Sequence, residues 1–300
     1  MHQPRLIVVG IGELLWDIFE DLKALGGAPA NFACHAAALG ANSYLVSSVG
    51  CDQLGEESLR MLKQKGVDTD LITHSNSLQT GKVFVDLGQN QHQPKYTIQE
   101  NVAWDRLPWS ESHAQLAAQC HAVCFGTLSQ RNIESRKAIN NFLNATGEDC
   151  LRVFDVNFRR KFYDRETVLR SLKLANAMKL NGQELQIVAG MTGLTIDCRS
   201  QAILQLAEKF ELQLVALTLG AGGSCLCVDG KVIDIKSVRP TVLRSTVGAG
   251  DAYLAAVTVG YLHGYAPEII GRLASQIAAF VCTRKSATPL LPKELQMLFR

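Results

Sequence analysis

Hydrophobic residues in this chain follow two alternating rhythms. Short apolar, β-branched runs recur at residues 6–9, 44–46, 122–125, 153–156, 177–180 and 214–217. Between them, apolar positions three and four apart predict helices over 31–39, 56–64, 133–143, 167–175, 201–208, 252–262 and 268–281. The strand runs are apolar on both sides rather than on alternate residues, so they predict a sheet covered on both faces. Strand and helix in repetition predict an α/β fold, with parallel strands joined by right-handed helical crossovers. Ligands of such sheets gather at the carboxyl ends of the strands.

One region breaks the alternation. Residues 82–87, a polar turn at Gly88-Gln89-Asn90, and residues 93–98 read as a hairpin, which has no place in a parallel sheet. It predicts a small antiparallel lid, to which the stretch around Leu14, Leu15, Trp16 and Ile18 adds a strand. Val83, Phe84 and Val85 place apolar residues on both faces of this hairpin. One face can cover a ligand; the other needs cover, which predicts a homodimer through the lid. Val228-Asp229-Gly230-Lys231-Val232 predicts a tight turn in a surface β-ribbon.

A chain of 300 residues, 47% hydrophobic, can bury one large core plus a small appendage. No linker, repeat or low-complexity segment divides it. The net charge of +2 without a basic block argues against nucleic acid as a partner. No apolar run reaches the ~18–20 residues that a membrane span needs. The first ten residues read as a strand rather than a signal peptide. Nine cysteines are scattered, with Cys120/Cys124 and Cys225/Cys227 the close pairs, and neither pair has metal-ligand spacing. They read as buried, reduced thiols of a cytoplasmic protein. His35 and His263 fall within helical patterns and read as structural.

Several small-residue clusters carry possible chemistry. Thr246-Val247-Gly248-Ala249-Gly250-Asp251 opens an apolar helix. Unpaired N–H groups and the helix dipole favour anionic oxygens there, and Asp251 among those donors could take a proton from an alcohol. Gly26-Gly27-Ala28-Pro29-Ala30-Asn31 lets a backbone approach a ligand, with Pro29 in a first helical turn and Asn31 offering donor and acceptor. Asp17 and Asn101, each near a tryptophan, would suit a polyol. Thr218-Leu219-Gly220-Ala221-Gly222-Gly223 follows a strand but lacks the Lys-Ser/Thr ending of a P-loop. Asn181 and Glu184, three apart, share a helix face; they suit either a capping box or water-mediated Mg²⁺ binding. Arg159 could reach a phosphoryl group as a bidentate donor.

These clusters, in this order, resemble the ribokinase-like sugar kinases of the PfkB carbohydrate kinase family. The resemblance runs from about residue 6 to residue 292 and is carried by the Gly26–Asn31 and Thr246–Asp251 segments, with Asn181-x-x-Glu184 and Thr218-x-Gly220-x-x-Gly223 between them. It implies one α/β/α sandwich domain over 1–300, with a mainly parallel sheet and a lid from about 12–25 and 80–103. Gly-Gly-Ala-Pro-Ala-Asn, Gly12-Glu13-Leu14-Leu15-Trp16-Asp17 and Asp155-Val156-Asn157-Phe158-Arg159 look most like fructokinases. The implied reaction is transfer of the γ-phosphoryl group of ATP to a hexose hydroxyl, foremost the 6-hydroxyl of fructose. A kinase of 2-keto-3-deoxygluconate or another sugar is the close alternative. An inactive sugar- or nucleotide-binding partner on the same scaffold is the rival from another class.

By that resemblance Asp251 is the base, and Gly248, Ala249 and Gly250 form the anion hole, assisted by Arg159. Asp17, Gly27, Asn31 and Asn101 hold the sugar. Asn181, Thr218, Gly220 and Gly223 serve the nucleotide, and Glu184 serves Mg²⁺. The chain departs from the family at Ser245, where an Asp is usual, and at Ser286, where a Gly is usual, with Arg284 and Lys285 alongside. In relatives these segments build a monovalent-cation site, so K⁺ activation is expected to be weak or absent.

Overall fold

A computed structural model describes residues 5–86 and 95–299. Fourteen strands are formed among them: β1 Ile7–Ile11, β2 Leu15–Ile18, β3 Lys23–Gly26, β4 Asn42–Gly50, β5 Val67–Asp68, β6 Ile72–Ser75, β7 Gly81–Asp86, β8 Lys95–Ile98, β9 Ala122–Gly126, β10 Leu151–Asp155, β11 Ala177–Asn181, β12 Leu214–Thr218, β13 Ser224–Val228 and β14 Lys231–Ile235. The main sheet runs β14-β13-β12-β11-β10-β9-β1-β4-β5, with β6 also paired to β4. Its strands from β12 through β5 pair in parallel, and β13 and β14 add an antiparallel edge. The expected ribbon about Asp229-Gly230 is therefore part of the main sheet, and β13 is buried along its length.

The double covering expected from the apolar runs is visible strand by strand. Along β9, Ala122 and Cys124 pack into one core and Val123 and Phe125 into the other. In β12, Leu214 and Ala216 divide from Val215 and Leu217 in the same way. Side chains alternate across a strand, so each strand feeds both cores. Helix Ala249–Leu262 is apolar nearly all round because it is held between the sheet and helix Pro267–Cys282.

The second sheet runs β3-β2-β7-β8. Each of its two hairpins is antiparallel, and β2 and β7 join them by a parallel pairing. The expected turn at Gly88-Gln89-Asn90 lies outside the described residues. Asp17 pairs opposite Val83, on the face that carries Leu15. Leu15, Val83 and Val85 pack together with Phe19 and Ile98, so this face is covered within the chain. Phe84 points the other way and is 48% exposed. Within the Val83-Phe84-Val85 run the exposed side chain is thus Phe84, and Val83 and Val85 are covered. Trp16 anchors the sheet to the body, its Nε1 donating to Ser58 Oγ at 2.9 Å and Leu54 O at 3.1 Å.

Candidate active site

Helix Ala249–Leu262 starts from Gly248, whose φ of 79° is left-handed. A Cβ there would lie 2.3 Å from the carbonyl oxygen of Ala287, so only glycine fits. No side chain caps this helix start. Ala249 N donates to Thr246 O at 3.3 Å, while the N–H groups of Gly248 and Gly250 have no backbone partner among the described residues. The result is a helix mouth with unpartnered N–H groups, a setting that suits an anion, with Asp251 in its first turn.

Asp251 Oδ2 accepts a hydrogen bond from Asn31 Nδ2 at 2.8 Å. Asn31 comes from the first turn of helix Ala28–Ala38, which begins three residues before its expected start. Gly27 precedes it with φ 109°, and a Cβ there would lie 2.3 Å from Glu13 O. Two helix starts, 220 residues apart in sequence, are thereby joined through side chains.

Charges crowd around this bond. Burial pushes the Asp251 carboxyl up to about 6, and the Asp155 charge adds to that; Lys179, the Asn31 bond and Arg159 oppose it. Burial also pushes Asp17 to about 6 and Glu13 to about 7, with Arg159 opposing in both cases. One exposed guanidinium therefore acts on three carboxyls. Arg159 sits between two non-glycine residues with left-handed backbones, Asn157 at φ 36° and Arg160 at φ 48°.

Lys179 Nζ donates to Asp155 Oδ1 at 2.9 Å, both side chains being under a tenth exposed. Burial alone would favour the neutral amine, but Asp155, Glu184 and Asp251 together raise its pKa, so it stays an ammonium. A Cβ on Gly250 would lie 3.2 Å from this Nζ. Gly250 thus makes room for a cation at the helix mouth.

Asn181 and Glu184 form the expected capping box. Asn181 Oδ1 accepts from the N–H groups of Gln183 and Glu184 at 2.9 Å, and Glu184 Oε2 accepts from Asn181 N at 2.7 Å. Glu184 Oε1 also accepts from Phe158 N at 3.1 Å, tying this helix to the Arg159 loop. Burial raises the Glu184 carboxyl, against Lys179. Asn181 stands beside Thr218 in register, at the carboxyl ends of β11 and β12. The turn beyond holds Gly220 at φ 57° and Gly223 at φ 90°, where a Cβ would lie 2.2 Å from Ile235 O.

The geometry joins Asp251 to Asn31 directly, and places Asp17 and Arg159 in the same electrostatic group. Asn101 stands apart: it is an exposed turn residue with φ 55°. Its neighbours carry the local contacts, Gln99 O accepting from Arg131 and Glu100 pairing with Lys161 at 3.3 Å. Sequence reasoning missed the roles of Lys179, Asp155 and Glu13. A signal was present, since Lys179 and Asp155 are isolated charges inside runs that read as strands buried on both faces. His35 is structural, as expected. Burial holds its imidazole down near 4, and Nε2 lies 3.0 Å from Ala287 O, bracing the loop that pins Gly248.

Comparison with known proteins places this geometry in a family. The pfkB family carbohydrate kinase model matches residues 12–294. The chain belongs to that family. It is 30% identical over 305 residues to a fructokinase of Escherichia coli, covering 94% of this chain and 95% of the relative. The solved structure of an uncharacterised sugar kinase from Pyrococcus horikoshii is similar at TM-score 0.84 and 28% identity, over 98% of this chain and 100% of that one. A fructokinase from Xylella fastidiosa, solved with bound ATP, matches at TM-score 0.85 and 20% identity, over 97% of each chain, a likeness of fold. The fold is ribokinase-like: helices flank a mostly parallel sheet, and a separate small sheet stands beside it.

Proposed function

We propose that this carbohydrate kinase uses ATP to phosphorylate a hexose, with the 6-hydroxyl of fructose as the acceptor. The observation that carries the reading is the Asp251 carboxylate, seated in an uncapped helix mouth and hydrogen-bonded to Asn31. Asp251 takes the proton of the acceptor alcohol as its oxygen bonds to the γ-phosphorus. The bridging bond to ADP breaks, and ADP leaves with the electron pair. The free amides of Gly248 and Gly250, and that of Ala249 once released from Thr246 O, with Lys179 and Arg159, neutralise the charge spread over the transferring group. Alignment and charge neutralisation are most of what such a transfer asks of a protein, and a placed base adds ~10²–10⁴-fold.

Asp17, on the inner face of the lid, with Gly27 and Asn31, holds the sugar hydroxyls, while Asn101, exposed and apart from them, is left out of this reading. Thr218, Gly220 and Gly223 line the nucleotide, next to Asn181. No group of three or more metal-ligating side chains exists among the described residues. Mg²⁺ binds through few protein ligands, and Glu184 would be the carboxylate that holds its water. When bound, Mg²⁺ supplies positive charge to the phosphate oxygens. The fructose reading is supported by the Escherichia coli fructokinase and by the Gly26–Asn31 segment.

A homodimer through the lid is supported by exposed Phe84, and a cytoplasmic setting by nine free cysteines. No helix among the described residues is long and apolar enough to cross a membrane.

A coupled ADP-release screen over fructose, ribose, 2-keto-3-deoxygluconate, mannose, tagatose and adenosine tests the proposal. Fructose should give the highest kcat/KM, and Asp251→Asn should lose most turnover while still binding the sugar. Turnover of another sugar in preference would overturn the fructose assignment. An Asp251→Asn enzyme near wild-type rate would overturn the base.

A further inference from the structure

Outside the kinase site, one cluster of nucleophiles stands out. Cys120 and Cys150 are buried, at 5% and 2% exposure, with their Sγ atoms 3.5 Å apart and hydrogen-bonded. Neither sequence pairing suggested this, because Cys120 is nearer in sequence to Cys124. The sheet register brings them together. Ala122 of β9 pairs with Leu151 of β10, and the two cysteines precede these residues at the amino ends of adjacent parallel strands. The turn leading into β10 is closed by a bond from Cys150 N to Gly147 O at 3.1 Å, and Gly147, Glu148 and Asp149 are exposed.

The two thiols differ in character. The hydrogen bond shared with Cys120 holds the Cys150 thiol below its usual range, with Arg152 and Thr146 helping against burial. The same bond, with burial, pushes the Cys120 thiol up. Of the two, Cys150 is the thiol more readily ionised, and Cys120 is the neighbouring thiol in contact with it.

We propose that Cys120 and Cys150 form a dithiol modification site that closes to a disulfide when peroxide reaches it. The Cys150 thiolate attacks one peroxide oxygen, the O–O bond breaks, and hydroxide leaves, giving a sulfenic acid. The Cys120 sulfur then attacks the Cys150 sulfur, the S–O bond breaks, and water leaves as the Cys120 proton is taken up. In sum, two thiols and one peroxide give one disulfide and two waters. The site lies at the amino ends of β9 and β10, whereas Asp155 ends β10 and Asn181 ends β11, at the opposite edge of the sheet, so the bond should leave sugar turnover unchanged.

The test uses the full chain with exposed Cys51 and Cys198 changed to serine, treated with hydrogen peroxide and mapped by mass spectrometry without reduction. The expected result is a peptide linking Cys120 to Cys150, lighter by two hydrogens and lost on treatment with dithiothreitol. With Cys120→Ser added, a dimedone adduct should collect on Cys150; with Cys150→Ser added instead, Cys120 should stay unmodified. The proposal is overturned if both cysteines remain fully alkylatable after unfolding, at a peroxide dose that oxidises Cys51 in the wild-type chain. It is also overturned if the adduct collects on Cys120 and not on Cys150.

Discussion

Replacing Lys179 by methionine removes one partner of a buried ion pair and leaves Asp155, 2% exposed, as a charge without a counter-ion. Breaking such a pair costs about 3–5 kcal/mol, mostly the penalty of the stranded charge. For a chain of this size that is roughly a 10 °C fall in Tm. Neutralising both partners, as Asp155→Asn with Lys179→Met, removes the stranded Asp155 charge, and most of the lost stability should return. Activity should not return with it, because the ammonium beside Gly250 is gone in both variants. Removing one such donor to a developing charge costs ~10²–10³ in kcat.

The pH profile adds a third reading. Lys179 lowers the Asp251 carboxyl and Asp155 raises it. The acid limb of kcat/KM should therefore move above about 6 in Lys179→Met and below it in Asp155→Asn. Urea denaturation followed by tryptophan fluorescence measures the stabilities, and ADP release between pH 5 and 9 measures the limbs. The reasoning is refuted if Lys179→Met unfolds at the wild-type midpoint, if the double variant is as unstable as the single, or if both limbs move the same way.

Four further outcomes are expected. The Asp251 carboxyl is raised from 3.8 to about 6, so its contribution to stability is full only below 3.8 and lost as pH rises through 6; Asp251→Asn should be more stable than wild type at pH 8, by at most about 3 kcal/mol, with the difference gone well below 3.8. Gly248→Ala puts a methyl against Ala287 O at a left-handed φ, costing at least about 1–2 kcal/mol and, by displacing the anion hole, ~10²-fold in kcat; turnover within twofold of wild type would contradict the packing. Phe84→Glu should shift the sedimenting species from dimer to monomer at micromolar concentration, and a monomeric wild type would end the dimer reading. Exchanging Na⁺ for K⁺ should leave the rate unchanged; a several-fold rise would count against the reading of Ser245 and Ser286.

The strands and crossovers were legible because both rest on local periodicity. Every core strand expected from an apolar run is present, and each divides its side chains between clusters on the two faces of the sheet. The glycine-rich mouths were legible for a related reason: Gly27 and Gly248 stand where a Cβ would meet a carbonyl oxygen. The pairings between distant residues were hidden. That Lys179 meets Asp155, that one Arg159 acts on Glu13, Asp17 and Asp251, and that Cys120 meets Cys150 depend on which strands become neighbours. No spacing within one segment records that. The lid was half legible: alternation marked its strands, but covering one face with Leu15 needed the parallel β2–β7 pairing, which joins separate segments.

The bond from Asn31 to Asp251 also bears on the strength of the base. While that amide donates to the carboxylate, it damps the carboxylate's pull on protons. On the proposed mechanism, a sugar whose oxygen takes up the Asn31 amide would remove that restraint while its own hydroxyl stands beside Asp251, so binding of the acceptor would itself strengthen the base.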